Sequence, residues 1–222
     1  LAEALLAHSA EVSAPAKDGA TPLHLATSRE VADLLITKGA DLYARTKDGA
    51  APLHWAVRNG NREVAAALLN HHADPNAFDN ARATPLHWVP RADILALLVE
   101  KGGNLAAVSQ NGGTLLHWAA AYGREDVARW LLEHEAKIEA RAQNGTTPLH
   151  WAAANNQTAL VTLLLKQGAM LEAKTKEGLT PLGWAARGGA VSAAEYLLSR
   201  KADIHNRDDN GATPLHWAVS ER

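Results

Sequence analysis

The sequence predicts an all-α solenoid of stacked helix-turn-helix units joined by β-hairpin loops. Three observations carry that expectation. The motif Thr21-Pro22-Leu23-His24 returns six more times along a chain of 222 residues. From one Pro position to the next the spacings are 30, 33, 30, 33, 33 and 33 residues, a period that denotes stacked repeats rather than an ordinary domain. Each interval also carries the same order of helix starts, helix stops and turn residues.

The motif recurs as Ala51-Pro52-Leu53-His54, Thr84-Pro85-Leu86-His87, Thr114-Leu115-Leu116-His117, Thr147-Pro148-Leu149-His150, Thr180-Pro181-Leu182-Gly183 and Thr213-Pro214-Leu215-His216. Thr ahead of Pro suits a helix N-terminus, because its hydroxyl can cap the helix and Pro at the first position wastes no hydrogen bond. A short helix of small residues follows, as in Trp151-Ala152-Ala153-Ala154. It ends near Asn59-Gly60, Tyr122-Gly123, Asn155-Asn156 or Gly188-Gly189, residues that tolerate positive φ. A second helix carries a Leu pair, such as Leu68-Leu69 or Leu164-Leu165. Gly39-Ala40-Asp41 or its equivalent closes that helix, and a turn such as Lys47-Asp48-Gly49 leads to the next motif.

This cycle resembles the ankyrin repeat, whose signature is the Thr-Pro-Leu-His motif with a closing Gly-Ala-Asp. The resemblance covers the whole chain as a single domain, 1–222. It is divided into a partial repeat 1–16, full repeats 17–46, 47–79, 80–109, 110–142, 143–175 and 176–208, and a partial repeat 209–222. Residues 1–20 align without gaps on 64–83, so the chain is expected to open inside a second helix and stop inside a first one, as a fragment of a longer protein would.

Two repeats are three residues short. The turn Arg58-Asn59-Gly60 has no counterpart after Ala26 or after Val89, and Pro90 cannot continue a helix. Other departures carry a backbone cost. Arg82 stands where other hairpins have Gly, and His72, Glu135 and Lys201 replace Gly after the second helix, where positive φ disfavours a Cβ.

Composition excludes several functions. Lys+Arg 22 against Asp+Glu 24 gives a net charge of -2, not the cationic surface of a nucleic-acid binder. No apolar run approaches the ~18 residues of a membrane span. With Cys 0 there is no disulfide, thiolate metal site or cysteine nucleophile. Paired acids such as Asp208-Asp209 read as solvated hairpin residues. No phosphate-cradling loop, nucleophile elbow or metalloprotease motif is present.

Histidines and tryptophans need an explanation, at 11 and 7 residues against Phe 1 and Tyr 3. The motif histidines occur once per repeat. Rungs spaced at roughly 8–10 Å cannot converge on a zinc ion that needs its nitrogens ~2.0–2.1 Å away, so no metal or other cofactor is expected. The resemblance implies that each motif imidazole bonds its own Thr and the neighbouring loop. Trp55, Trp88, Trp118, Trp151, Trp184 and Trp217 directly follow the motif His or Gly183. At 100° per residue, Leu149, Ala152 and Ala153 share one side of the helix and Trp151 lies nearly opposite. The indoles should therefore form half-buried rungs on the concave face, with Arg58, Tyr122, Asn155 and Arg187 on the same arc. Trp130, beside Leu131-Leu132, reads as packing.

The resemblance implies a non-catalytic scaffold, monomeric and cytoplasmic, or delivered to a host cytoplasm if it is a bacterial effector. It would bind a protein or an extended peptide, with no nucleic acid and no membrane insertion. The partner-binding residues would be Trp55, Arg58, Trp88, Trp118, Tyr122, Trp151, Asn155, Trp184, Arg187 and Trp217, with the hairpin tips. The alternatives are a regulatory segment of a larger enzyme or channel and, less favoured, a reader of methylated ammonium, for which indoles would have to enclose the cation.

Overall fold

The structure, a computed structural model, describes residues 1–220; the last two residues of the closing partial repeat, 209–222, lie outside the described residues. The chain forms two compact units, Leu1–Gln110 and Asn111–Arg222. The first contains α1 (Ala2–Ala7), α2 (Arg29–Thr37), α3 (Pro52–Arg58), α4 (Arg62–Asn70), a 3₁₀ turn (Pro85–Trp88) and α5 (Ala92–Glu100). The second contains α6 (Leu115–Ala121), α7 (Glu125–Glu133), α8 (Pro148–Ala154), α9 (Thr158–Lys166), α10 (Pro181–Arg187), α11 (Val191–Ser199) and α12 (Pro214–Ser220). No strand forms among the described residues, so the fold is all-α, and the hairpins are turns with only isolated bridge residues at Val108 and Thr114.

Full copies alternate a seven-residue first helix with a nine-residue second helix. Pro occupies the first position of α3, α8, α10 and α12, where its missing N–H costs nothing. Ser28 and Asn61 cap α2 and α4, accepting from the backbone N–H of Val31 and Val64 at 3.3 and 3.1 Å. In the second unit α8 packs against α6 and α10, α10 against α12, and α9 against α7 and α11. In the first, α4 packs against α2, α3 and α5. Small side chains permit this close stacking. Ala152, Ala153, Ala185 and Ala193 are fully buried, and Leu53, Leu68, Leu98, Leu149, Leu164 and Leu197 fill the space between helices.

The two shortened repeats lose their first α-helix. Pro22–Leu25 makes only a turn, and Pro85–Trp88 makes a single 3₁₀ turn. The deletion removes most of one ~3.6-residue turn, and Pro90 blocks extension of the second of these.

Hairpin tips within each unit are tied by main-chain bonds. Lys47 N donates to Asp18 O at 2.7 Å and Asn80 N to Asp48 O at 2.9 Å; in the second unit Gln143 N reaches Asn111 O and Lys176 N reaches Asn144 O. This closeness requires glycine beneath. A Cβ on Gly145, at φ +80°, would stand 2.8 Å from Lys176 N.

Second helices end in a residue of positive φ followed by a main-chain bond five residues back, such as Ala40 N to Leu35 O at 2.9 Å. Gly39, Gly102 and Gly168 supply that φ freely, but Ser9, His72, Glu135 and Lys201 adopt it at 67°, 67°, 62° and 70°. Arg82 does so in a hairpin at 56°. The costs read from the sequence are thus present as left-handed side-chain-bearing residues. We predict that Glu135→Gly and Lys201→Gly each raise stability by about 1 kcal/mol, the relief of left-handed strain outweighing the added chain entropy. Equilibrium urea unfolding of the single variants measures this; lower midpoints would contradict it.

Candidate protein-interaction surface

The motif His builds the platform on which each indole sits. In the copy at Thr147, the His150 Nδ1 accepts from the Thr147 N–H at 3.1 Å and lies 2.9 Å from the Thr147 hydroxyl. With Nδ1 accepting, Nε2 carries the proton and donates to Leu179 O at 3.2 Å in the next hairpin. His24 reaches Ala50 O, His54 reaches Ala83 O and His117 reaches Thr146 O at 3.1, 3.3 and 3.1 Å. The expected N-cap is therefore inverted: in these copies the ring accepts from the cap residue's backbone, so the hydroxyl is not the cap. Only Thr180, which faces Gly183 instead of His, accepts from the backbone N–H three residues on, at 3.4 Å.

Burial lowers the pKa of His24 and His54, and takes His117 and His150 down to about 4. Protonation at Nδ1 would also displace two donors. An unfolded imidazole titrates near 6.5. Below that pH the unfolded chain binds more protons, so stability is present above 6.5 and is lost as pH falls towards 4. His117 and His150 should each contribute a loss on the order of 3 kcal/mol by pH 4. Urea unfolding between pH 7 and 4 reads this, and a flat profile would contradict the neutral tautomer.

On this platform all six motif indoles are half-buried. Three of them meet the imidazole of the preceding copy edge-on: Trp55 against His24 at 5.8 Å, Trp151 against His117 at 5.2 Å and Trp184 against His150 at 6.3 Å between ring centroids. Three indole N–H groups are tethered to their own hairpins. Trp88 donates to Asp79 at 3.3 Å, Trp151 to the Thr146 hydroxyl at 2.9 Å and Trp217 to Asp208 at 3.0 Å. Trp184 Nε1 is buried without a hydrogen-bond partner. The residue that matches Thr146 there is Leu179, which offers no side-chain acceptor, and the Thr175 hydroxyl already accepts from Leu179 N.

The polar arc is partly engaged by the chain itself. Arg58 lies 5.2 Å over the Trp88 ring. Arg187 lies 5.8 Å from Trp184 and 5.0 Å from Trp217, so one guanidinium faces two successive rungs. Asn155 Nδ2 donates to Trp151 O at 2.9 Å. Tyr122 is 53% exposed, 5.8 Å from the tilted Trp118 ring, with the Arg124 guanidinium 4.8 Å over its own ring. The structure thus groups Trp55, Arg58 and Trp88 in the first unit. In the second it groups Trp118 with Tyr122, Trp151 with Asn155, and Trp184 with Arg187 and Trp217. Trp130 is half-buried and stacks on His134 at 3.6 Å.

One expectation is overturned. Asp208 is not a solvated turn residue: it is 7% exposed and accepts from Asn210 N, Ala212 N and the Trp217 indole. The acid nine residues before a motif Trp, here and at Asp79 before Trp88, is the signal that sequence reading passed over. No three His, Asp or Glu side chains among the described residues come together as a metal site.

The family model for ankyrin repeats (3 copies) matches residues 1–79, 79–142, 138–208 and 170–222. The chain belongs to the ankyrin-repeat family. No curated protein matches it. Ankyrin repeats are in general protein-interaction modules and are typically non-enzymatic. No helix among the described residues is long and apolar enough to cross a membrane.

Within this ankyrin array Gly183 leaves a recess lined by Thr180, Ala212 and Trp217, where other copies place the ring. A Cβ there would meet Leu179 at 3.5 Å, an ordinary contact. We predict that Gly183→His restores the bridge to Ala212 O and removes a helical glycine, adding about 1–2 kcal/mol. Thermal unfolding reports it, and an unchanged or lower midpoint would contradict the assignment.

Proposed function

We propose that this ankyrin array is a non-catalytic interaction scaffold that binds an extended peptide or a protein loop. The contact surface is the first-helix face together with the hairpin tips. One observation carries the reading: five of the six indoles are held at one side by a His edge, a hairpin acceptor or both, while part of each ring stays open. Rigid, partly exposed Trp and Tyr supply contact area at small entropic cost, which is why such residues dominate binding hot spots. Trp118, Tyr122, Trp151 and Asn155 form the working centre in the second unit, and Trp55, Arg58 and Trp88 the corresponding patch in the first. Arg187 braces Trp184 and Trp217 and orients their open faces. The arginines over Trp88, Trp184 and Trp217 occupy positions that a methylated ammonium would need, which favours the peptide reading over a cation cage.

Capture from native lysate, followed by titration of the captured partner, tests this. Tyr122→Ala should weaken binding at least tenfold with an unchanged unfolding midpoint, because the side chain is exposed. Trp118→Ala should weaken binding similarly while costing about 2–3 kcal/mol of stability, as truncation of a large packed side chain does. Unchanged affinity in both variants would sink the proposal and leave the indoles as packing alone.

A further inference from the structure

Outside the indole face, the second unit has a bay of about 330 Å³ between its hairpins. Its lining includes Gly112, Arg141, Gln143, Gly145, Lys174 and Lys176. Three of the lining residues are cationic and none is acidic. Arg141 is pre-positioned: one terminal nitrogen donates to Gly145 O at 3.0 Å and to Lys174 O at 2.7 Å, leaving its other donors unspent. Among the described residues no carboxylate pairs with Arg141, Lys174 or Lys176, and all three are exposed.

The first unit shows what this bay would be without its charge. Arg45 makes the same brace, donating to Gly49 O and Phe78 O at 3.0 Å each. There the neighbouring copies carry Phe78 and Val108 at the position filled by Lys174 and Arg207 in the second unit. The brace is thus common to both units, whereas the run of cations at this position belongs to the second.

Like charges held together without a counter-ion repel one another, and an anion relieves that repulsion. The class of anion follows from what the walls offer. The main-chain N–H groups of Ala142, Gln143, Gly145, Thr175 and Lys176 are all spent on intramolecular carbonyls. A phosphate cradle needs successive free N–H groups, and every N–H next to Arg141 or Lys174 in these walls is already spent. Recognition falls to one planar guanidinium and two ammonium groups, all of which pair with carboxylate oxygens. Glu177 and Asp209, on the adjoining tips, weigh against a long polyanion such as nucleic acid. The bay and the proposed peptide surface share a hairpin, because the Ala142–Thr146 turn also carries the hydroxyl that tethers Trp151.

We propose that the Arg141–Lys174–Lys176 bay seats one or two Asp or Glu side chains of an acidic peptide segment whose remainder lies along the indoles. This rests on the peptide-binding reading above and adds the chemistry of the partner. The test uses the full chain, fluorescence anisotropy and three labelled probes: octaglutamate, octaglutamine and the oligonucleotide octathymidylate. Octaglutamate should bind, weaken as salt is raised, and lose at least tenfold in affinity with Lys174→Glu/Lys176→Glu. Lys174→Gln/Lys176→Gln should lie between. Octaglutamine should not bind. Octaglutamate affinity that is equal in wild type and both double variants would overturn the bay. Octathymidylate binding as tightly, with the same sensitivity, would overturn the carboxylate assignment. Applied to the captured partner, loss of binding in Tyr122→Ala but not in the lysine variants would overturn the bay and leave the indole surface standing.

Discussion

The bridge made by one neutral imidazole is the interaction on which the rest of the structure depends. An ankyrin copy cannot bury its own hydrophobic face, so its stability lies largely in the contact with its neighbour. The motif His joins three things at once: the start of its own helix, the threonine hydroxyl and a carbonyl in the next hairpin. A single protonation state satisfies all three. Burial selects that state, and the selected state fixes where the next hairpin sits.

Everything on the first-helix face follows from that placement. A fixed hairpin presents a fixed acceptor, an Asp carboxylate in two copies and a Thr hydroxyl in another, and the indole N–H finds it. The indole edge then packs against the imidazole one copy back, so the polar bridge and the aromatic contact hold the same junction. Surface chemistry and stacking chemistry are therefore not separable here. A partner that engages Trp151 touches a residue that also organises the junction between α6 and α8.

The repeating frame was legible in the sequence because periodicity reports it directly. Helix starts at Pro52 and Pro148, stops at Gly39 and Gly168, and the strained replacements at His72, Glu135 and Lys201 all appear where spacing places them. The loss of the first helices at Pro22 and Pro85 was legible only in part, since a deletion shows that a turn is missing but not that the remainder drops below helical length. What periodicity could not show is pairing between side chains far apart in sequence or on different elements. Asp208 looked like any hairpin acid, yet it is buried by the indole it serves. Arg58 and Arg187 looked free for a partner, yet each already faces an indole of the chain itself. The Arg141 bay was legible only as scattered hairpin cations, because its residues come from separate copies and become neighbours only when hairpins stack.

The glycine at position 183 has a consequence for cooperativity. In a linear array, the sharpness of unfolding is set by the coupling between adjacent copies relative to the intrinsic stability of each. Where the imidazole bridge is missing, α10 and α12 are joined by apolar packing and the shared Arg187 but not by that polar link. The junction is a weak bond in a one-dimensional chain. Opening that begins there has less reason to spread inward, so amide exchange in α12 becomes uncoupled from exchange in α8.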